Sequence, residues 1–240
     1  MADDVYLAIE TSTRSGGVAL ARRTGPPAVR TLFADRRHAA ELLPAIHEVL
    51  CEHDLHAGDV GVVCFSHGPG SFTGLRIAAT VTRTLCHAVG CRAVAVPTLE
   101  SIARNALRAG IEVQRLAVIL DARRGQVFAA AFDVCEGALQ MRSPVAIHDP
   151  TGFLSHIESP FAVLGEGVAS HRAACEASGG VILDESLWTP KAETALEIGR
   201  ELAAAGRFCA PEQIVPFYVR PPECEEVYEQ RRAAARARRG

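Results

Sequence analysis

The chain has 240 residues, a net charge of −3 and a hydrophobic content of 48%, which is enough apolar material for one large domain or two small ones. This composition argues against disorder over most of the length, and the small net charge argues against a polyelectrolyte that binds nucleic acid with its whole surface. No apolar run approaches the ~18 residues of a membrane span, and the first residues are acidic rather than signal-like. We therefore expect a cytoplasmic protein.

The cysteines and histidines give no sign of a metal or cofactor site. Eight cysteines are present without a C-x-x-C pair, and most lie inside apolar runs, which indicates buried free thiols in a reducing compartment. The nine histidines do not cluster. We therefore expect no bound metal and no cofactor.

The first half of the chain predicts three leading strands followed by two helix–strand units and a closing helix. Period-2 and period-3.6 spacing of apolar residues carries this assignment. The strands are expected at 5–11, 16–23, 29–35, 60–66 and 91–96, and the helices at 38–53, 72–89 and from Thr98 to a stop at Gly110.

The second half repeats the same order of elements without detectable sequence identity. Strands are expected at 116–120, 126–133, 139–147, 161–164 and 181–183, and helices at 150–157, 168–177 and 190–205, the last capped by Thr189. A duplicated βββαβαβα unit resembles the two-lobed α/β fold of the actin, Hsp70 and sugar-kinase superfamily (ASKHA). We expect lobes at 1–110, joined by the helix at 190–206, and at 111–220. A charged tail at 221–240 is expected to be flexible, with a basic end at 231–240.

The stretch at 61–90 is the clearest local signal. A buried strand leads into the turn His67-Gly68-Pro69-Gly70, and Ser71 or Thr73 can cap the helix that stops at Gly90. Free N–H groups at such a helix start can hold a phosphate. The alternative is a turn that lets two backbones pack closely, and this second interpretation is favoured.

Nucleotide sites of this superfamily use an Asp-x-Gly turn between the first two strands of each half, because glycine lets the backbone approach the phosphate. The corresponding residues here are Glu10-Thr11-Ser12 and Asp121-Ala122-Arg123, and both lack the glycine. We expect weak or absent ATPase activity. The residues kept as candidate nucleotide contacts are Glu10, Ser12, Gly68, Gly70 and Asp121.

The helix at 72–89 has two usable faces. Small and apolar residues such as Leu75 and Ala79 line one face, and Arg76, Thr80 and Arg83 line another. This pattern suits a helix with a sheet on one side and a second protein on the other. It equally suits a helix packed in its own domain with its polar face in solvent, and the residues alone leave both interpretations open.

Several motifs together resemble the TsaB (YeaZ) family of tRNA threonylcarbamoyladenosine biosynthesis proteins. They span nearly the whole chain, and the block at 68–77 is the most specific, while His67 and the basic tail depart from the family pattern. The motifs are Leu7-Ala-Ile-Glu-Thr-Ser-Thr13, Gly17-Val-Ala-Leu20, His38 with Leu42-Leu-Pro44, Gly68-Pro-Gly-Ser-Phe-Thr-Gly-Leu-Arg-Ile77, Pro97-Thr-Leu99, Asp121-Ala-Arg-Arg-Gly125 and Pro216-Phe-Tyr-Val-Arg220.

The resemblance implies a non-catalytic subunit. It would bind a TsaD-like transferase, which places a threonylcarbamoyl group on N6 of adenosine 37 in tRNAs reading ANN codons, together with the ATPase TsaE. It would also form homodimers and contact tRNA only indirectly. The implied partner interface comprises His38, Leu42, Ile46, Phe72, Leu75, Arg76, Ala79, Thr80 and Arg83.

The resemblance also implies that the metal-binding histidines of the catalytic relative correspond to Thr98 and Ile102. Isoleucine cannot ligate a metal, and a threonine hydroxyl is a poor ligand beside imidazole. This disfavours a metalloprotease-like hydrolase, and the altered Asp-x-Gly turns disfavour an ATP-using kinase or carbamoyl-type transferase. These two remain the alternatives to a non-catalytic subunit.

Overall fold

The structure, a computed structural model, describes residues 5–32 and 38–220, and the side chain of His38 is outside the described part. The end of the third expected strand and the tail from residue 221 onward also lie outside it. None of the helices in these ranges is long and apolar enough to cross a membrane.

The described chain builds two five-stranded mixed sheets. The first sheet has the order β3-β2-β1-β4-β5 and the second has the order β10-β9-β6-β7-β8, so the same 3-2-1-4-5 arrangement occurs twice. The strands of the first sheet are β1 (Val5–Glu10), β2 (Gly16–Arg22), β3 (Ala28–Leu32), β4 (Val60–Gly68) and β5 (Arg92–Pro97). Those of the second are β6 (Arg115–Asp121), β7 (Val127–Cys135), β8 (Ala138–His148), β9 (Ala162–Leu164) and β10 (Val181–Ile182).

Six α-helices cover the two sheets in the described ranges. They are α1 (His38–Cys51), α2 (Phe72–Val89), α3 (Thr98–Arg108), α4 (Pro150–Ser155), α5 (Gly167–Ala177) and α6 (Ala192–Ala204). The order of strands and helices predicted from the sequence is confirmed in both halves, and most bounds agree within two residues.

The first sheet is buried on both faces, because its strands are apolar on both sides. Leu7 lies opposite Leu20 in antiparallel β2 and opposite Val63 in parallel β4, and this side packs with α1 and α2. Alternate residues such as Tyr6 and Ala8 face the other way and pack with α6. Helix α6 therefore completes the core of a sheet that is formed by the opposite end of the chain.

Helix α3 packs in the core of the second sheet, although the boundary expected at residue 110 places it in the first lobe. Its buried side chains Leu99, Ile102 and Ala106 lie in one cluster with β6 and β7. By packing, the first lobe consists of the first sheet with α1, α2 and α6, and the second lobe consists of the second sheet with α3, α4 and α5. The packing boundary thus falls at Pro97, where β5 ends.

The helices α3 and α6 meet where the lobes join. Asn105 is buried, and its amide nitrogen donates to the carbonyls of Leu187 (3.1 Å) and Thr189 (2.7 Å). The Thr194 hydroxyl donates to its amide oxygen over 3.0 Å. Because two of these bonds are buried and the third is partly buried, this amide can hold the two helices together with good directionality.

The start of α6 near Thr189 and the position of Pro144 inside β8 each have a structural explanation. Thr189 does not cap α6: the helix begins after Lys191, which makes no side-chain cap bond, while the carbonyl of Thr189 accepts from Asn105. Pro144 does not break β8, because β8 is an edge strand and its register with β7 shifts near this point. An edge strand tolerates a residue without an N–H group.

Candidate functional site

The glycine-rich turn at the start of α2 packs directly on the end of β1. A Cβ atom added at Gly74 would lie 1.8 Å from the carbonyl oxygen of Thr11, and one added at Gly70 would lie 2.3 Å from that of Ser12. The Ser71 amide donates to the Ser12 carbonyl over 2.6 Å, and the Ser71 hydroxyl caps α2 by accepting from the Gly74 amide. These contacts are those of a packing turn, with glycine required for close backbone approach.

Glu10 lies at the end of β1 and is buried. Its Oε1 atom accepts hydrogen bonds from the Ser12 amide (2.6 Å) and the Ser12 hydroxyl (2.5 Å), whereas Oε2 has no hydrogen-bond partner in the described structure. Burial raises the pKa of this carboxyl to about 7, although the bonds from Ser12 oppose the shift. A carboxyl of this kind is neutral in weak acid and charged in weak base.

Residues 215–220 form a strap, here called the C-terminal strap, that lies on the first lobe. The Phe217 amide donates to the His67 carbonyl over 2.8 Å, and the two rings stack with centroids 5.7 Å apart. Tyr218 stacks on Phe72 at 5.2 Å, and its hydroxyl accepts from Nε of Arg76. His67, which departs from the family pattern, thus serves as the docking ring for the strap, and burial lowers its pKa.

The end of the C-terminal strap reaches the second lobe. The Arg220 guanidinium donates to the Ala122 carbonyl over 2.7 Å and to Oε1 of Gln126 over 2.5 Å. Both acceptors belong to the turn between β6 and β7. The strap therefore connects the two lobes on the side where the two altered turns face each other.

A cleft of about 720 Å³ lies between the lobes under the strap. Of the candidate nucleotide contacts, Ser12, Gly70 and Asp121 line it. Glu10 does not line it and is buried, and Gly68 is covered by the strap, with the Phe217 carbonyl 2.8 Å from the position of an added Cβ. Asp121 already accepts a 2.7 Å bond from the Arg123 amide in its own turn. The charged residues that line the cleft are four arginines and two acidic residues, namely Arg14, Arg123, Arg124, Arg220, Asp121 and Glu166.

Apart from His38, whose side chain lies outside the described part, the residues expected at a partner interface divide into two groups. Leu42, Ile46, Leu75 and Ala79 are buried, each 8% exposed or less, so they cannot present their side chains to another protein in this conformation. Their helical spacing marks the side of α1 and α2 that faces their own lobe. The exposed members are Phe72, Arg76, Thr80 and Arg83, and we call these four residues the outer face of α2.

The interface residues expected from the sequence do not include several exposed apolar residues on α1 and on the strap. Leu43 is 57% exposed on α1, followed by exposed Pro44, and α1 packs next to α2 on the same sheet. On the strap, Val215 and Phe217 are also more than 40% exposed. The signal that could have found Leu43 is its position directly after the core residue Leu42, which points it away from the sheet.

The residues compared with metal ligands are not exposed to solvent. Thr98 and Ile102 are both fully buried on α3. Within residues 5–32 and 38–220, no group of three or more His, Cys, Asp or Glu side chains is arranged to hold a metal ion.

The duplicated sheet order, the crossing helices and the cleft between two lobes define a two-lobed α/β protein of the actin, Hsp70 and sugar-kinase type. The family model for TsaD, tRNA N6-adenosine threonylcarbamoyltransferase, matches residues 30–206.

Two sequence relatives and one solved structure indicate which family within this class the chain resembles. TsaB of Bacillus subtilis is 30% identical over 91% of this chain and 95% of its own length. TsaB of Escherichia coli is 28% identical over 89% of this chain and 94% of its own length. The structure of YeaZ from Pseudomonas aeruginosa superposes with a TM-score of 0.75 at 28% identity, covering 90% of this chain and 99% of that one. The chain belongs to the TsaB (YeaZ) family.

Proposed function

We propose that this protein is a non-catalytic subunit in the formation of threonylcarbamoyladenosine at position 37 of tRNAs reading ANN codons. It acts by binding a TsaD-like transferase, and a TsaE-like ATPase joins the assembly. The relatives from Bacillus subtilis and Escherichia coli are named as tRNA threonylcarbamoyladenosine biosynthesis proteins, which supports the pathway. The residues of this chain support a role in binding a partner rather than in catalysing a reaction.

The observation that carries the non-catalytic role is the chemistry at positions 98 and 102. Where the resemblance places two metal-binding histidines in the transferase, this chain has threonine and isoleucine, both fully buried in α3. Neither side chain supplies a nitrogen ligand, and both are committed to the core of the second lobe. The partner is therefore the member of the assembly that supplies the metal.

The surface proposed for the partner is the outer face of α2 together with the exposed side of α1. Phe72 is 38% exposed, with the Arg76 guanidinium 3.9 Å from its ring centre, and Leu43 exposes a large aliphatic side chain on α1, the helix that contacts α2. Aromatic residues, arginine and exposed aliphatic residues are the groups that dominate interface energetics. A homodimer of this chain uses the same face in this proposal, so self-association and partner binding compete.

The test is gel filtration of this protein mixed with its TsaD relative, with and without nucleotide. We expect a heteromer for the native chain. Leu43→Asp and Thr80→Arg are expected to weaken association at least tenfold, because each buries an unpaired charge at a cost of a few kcal/mol.

Val181→Asp is the matched control for Leu43→Asp. Val181 is 62% exposed on β10 in the second lobe, away from α1 and α2, so the same change in chemistry should leave association intact. Circular dichroism checks that each variant folds. Absence of any heteromer contradicts the proposal, and steady ATP turnover by the isolated protein would favour the ATP-using alternative instead.

A further inference from the structure

Two cysteine thiols face each other at the end of α2. The Sγ atoms of Cys86, in the last turn of α2, and Cys91, just before β5, are 3.6 Å apart, and the Cys91 thiol donates to Cys86. A third thiol, Cys209, lies on a segment that pairs with Ala93 of β5. All three belong to or pack against the core on the α2 side of the first sheet.

The helix end explains why the two thiols meet. Gly90 has a left-handed backbone (φ 74°), and its N–H donates to the Cys86 carbonyl over 3.0 Å. Such a cap reverses the chain and brings the residue after the glycine back over the last helical turn. An apolar contact ordinarily forms between these two positions, and here both positions are cysteine.

The two thiols differ in solvent exposure, but burial shifts the pKa of both in the same direction. Cys86 is partly exposed, whereas Cys91 is 8% exposed. Burial raises the pKa of both thiols, that of Cys91 to about 12, so both are largely protonated near neutral pH. The guanidinium of neighbouring Arg92 lies over the Phe208 ring, 4.1 Å from its centre. Oxidation at this pair is therefore slower than at a thiol with a cationic neighbour, and it starts at Cys86.

We propose that Cys86 and Cys91 are a site of reversible disulfide formation, oxidised by a low-molecular-weight disulfide. The Cys86 thiolate attacks one sulfur of the small disulfide, whose S–S bond breaks and releases one small thiolate. The Cys91 thiolate then attacks the Cys86 sulfur and displaces the second small thiolate. The two protons lost by the protein go to the two small thiolates, so two protein thiols are oxidised and one small disulfide is reduced to two thiols.

The bond closes a short ring across the cap of α2. It links the end of α2 to the start of β5 covalently, in a place where the chain is already reversed by Gly90. The start of α2 is held by the glycine-rich turn on β1. In the oxidised protein both ends of this helix are fixed, and unfolding requires a higher denaturant concentration than in the reduced protein.

The tryptic digest of the native full-length protein gives a direct test. Trypsin cuts after Arg83 and Arg92, so Cys86 and Cys91 fall in one peptide, 84–92, while Cys209 falls in another. After incubation with oxidised glutathione and alkylation of the remaining thiols, we expect most of peptide 84–92 to lack both alkyl groups and to have lost two hydrogen atoms. Reduction before alkylation restores two alkyl groups. The urea midpoint of the oxidised protein should be higher and should return on reduction.

Two serine variants separate this pair from other thiol chemistry. In Cys91→Ser, Cys86 is expected to stop at the mixed disulfide with glutathione, and in Cys86→Ser the peptide carries one alkyl group and no internal bond. The shift in urea midpoint should be lost in both variants. The exposed thiol of Cys51 shows whether the oxidant has reacted, because it should form a mixed disulfide with glutathione. The proposal is overturned if Cys51 is fully converted to this mixed disulfide while the wild-type peptide 84–92 keeps two alkyl groups, or if Cys86 is instead joined to Cys209.

Discussion

At the residue scale, Glu10 shows what the altered first turn has become. A carboxylate that faced a cleft could hold a cation through water, but this side chain is turned inward and is 1% exposed. One oxygen binds the backbone and hydroxyl of Ser12, and the other has no described hydrogen-bond partner. Glu10 therefore stabilises the turn after β1 when its carboxyl is protonated. When the carboxyl is ionised, Glu10 destabilises the fold, because the buried charge is not fully paired.

This environment predicts a fall in stability as the pH rises. The pKa of Glu10 is raised from 4.5 to about 7 on folding, so the folded state binds the proton more tightly than the unfolded state. The contribution is complete below about pH 4.5 and is lost as the pH rises through about 7, and it amounts to roughly 3 kcal/mol. In Glu10→Gln this part of the pH dependence should vanish, which urea unfolding at pH 5 and pH 8 would measure.

Glu48→Gln on the exposed side of α1 is the control for loss of one negative charge. It should follow the pH dependence of the native protein. If Glu10→Gln and Glu48→Gln give the same difference in unfolding free energy between the two pH values, the carboxyl of Glu10 is not protonated in the fold at neutral pH.

The sequence could flag Glu10 but could not predict its burial. Its position after a strand identifies a turn of the superfamily, because local order is readable from the pattern. Whether the side chain points into the cleft or beneath it depends on how closely α2 approaches β1. That approach is set by the bare backbones of Gly70 and Gly74 against Thr11 and Ser12, which are about sixty residues apart in sequence.

At the scale of elements, the C-terminal strap joins parts that are distant in the chain. It is stacked on His67 and Phe72 of the first lobe and hydrogen-bonded through Arg220 to the second. Because one short segment makes contacts with both lobes, we expect the strap to limit the opening of the cleft. The apolar composition of residues 212–220 favours docking on the body of the protein, but it does not indicate that the segment contacts both lobes.

Removal of the Arg220 side chain should break the hydrogen bonds that join the strap to the second lobe. In Arg220→Ala, two hydrogen bonds from a charged donor are lost, and we expect a destabilisation of about 1–3 kcal/mol. Amide exchange should accelerate at 121–126, where the acceptors lie, while the stacked residues 67–72 keep their protection. Hydrogen exchange followed by mass spectrometry measures both regions.

Arg172→Ala is the control for removal of an arginine. Arg172 lies 3.7 Å from Glu176 as an exposed pair on α5, and such pairs contribute little. Unchanged exchange at 121–126 in Arg220→Ala would mean that the strap does not restrain the second lobe.

Elements differ in how well their sequence defines them. Helix α2 has the predicted bounds, because Ser71 caps its start and Gly90 its end. Helix α6 starts two residues later than expected, because the carbonyl of its supposed cap residue Thr189 is held by Asn105. The apolar stripes of α1 and α2 located these helices correctly, but most of their residues lie on the buried side. The side open to a partner therefore consists of polar residues and a few exposed apolar ones such as Leu43 and Phe72.

At the scale of the whole molecule, the first lobe is not a continuous piece of chain, whereas the second runs without interruption from α3 to β10. The side of the first sheet that carries Tyr6, Ala8 and Val94 is covered by α6, and Gly199 allows this helix to lie close to Cys64. Helix α3 leaves the first sheet and completes the second core. The duplicated order of elements predicted the fold, and the lobes expected from the sequence assigned the helix at 190–206 to the first lobe. They also assigned α3 to the first lobe, because this helix is amphipathic and its pattern does not say which sheet it covers.

This placement of α3 and α6 predicts that the first 110 residues do not fold alone. The fragment leaves an apolar face of the first sheet in water and carries α3 without its partner sheet, so we expect no cooperative unfolding transition by circular dichroism in urea. A fragment that joins 1–97 to 185–220 through a flexible linker keeps α6 and should regain a transition. Cooperative unfolding of 1–110 would show that the lobes are independent of this placement.

The crossing of α6 to the first sheet also has a consequence for how the protein is made. A ribosome delivers β1 to β5 early, yet the helix that shields one side of this sheet emerges some hundred residues later. Until then the earliest part of the product exposes its apolar side chains and depends on protection against aggregation. A premature stop within α6 would therefore damage the lobe at the beginning of the chain, far in sequence from the missing residues.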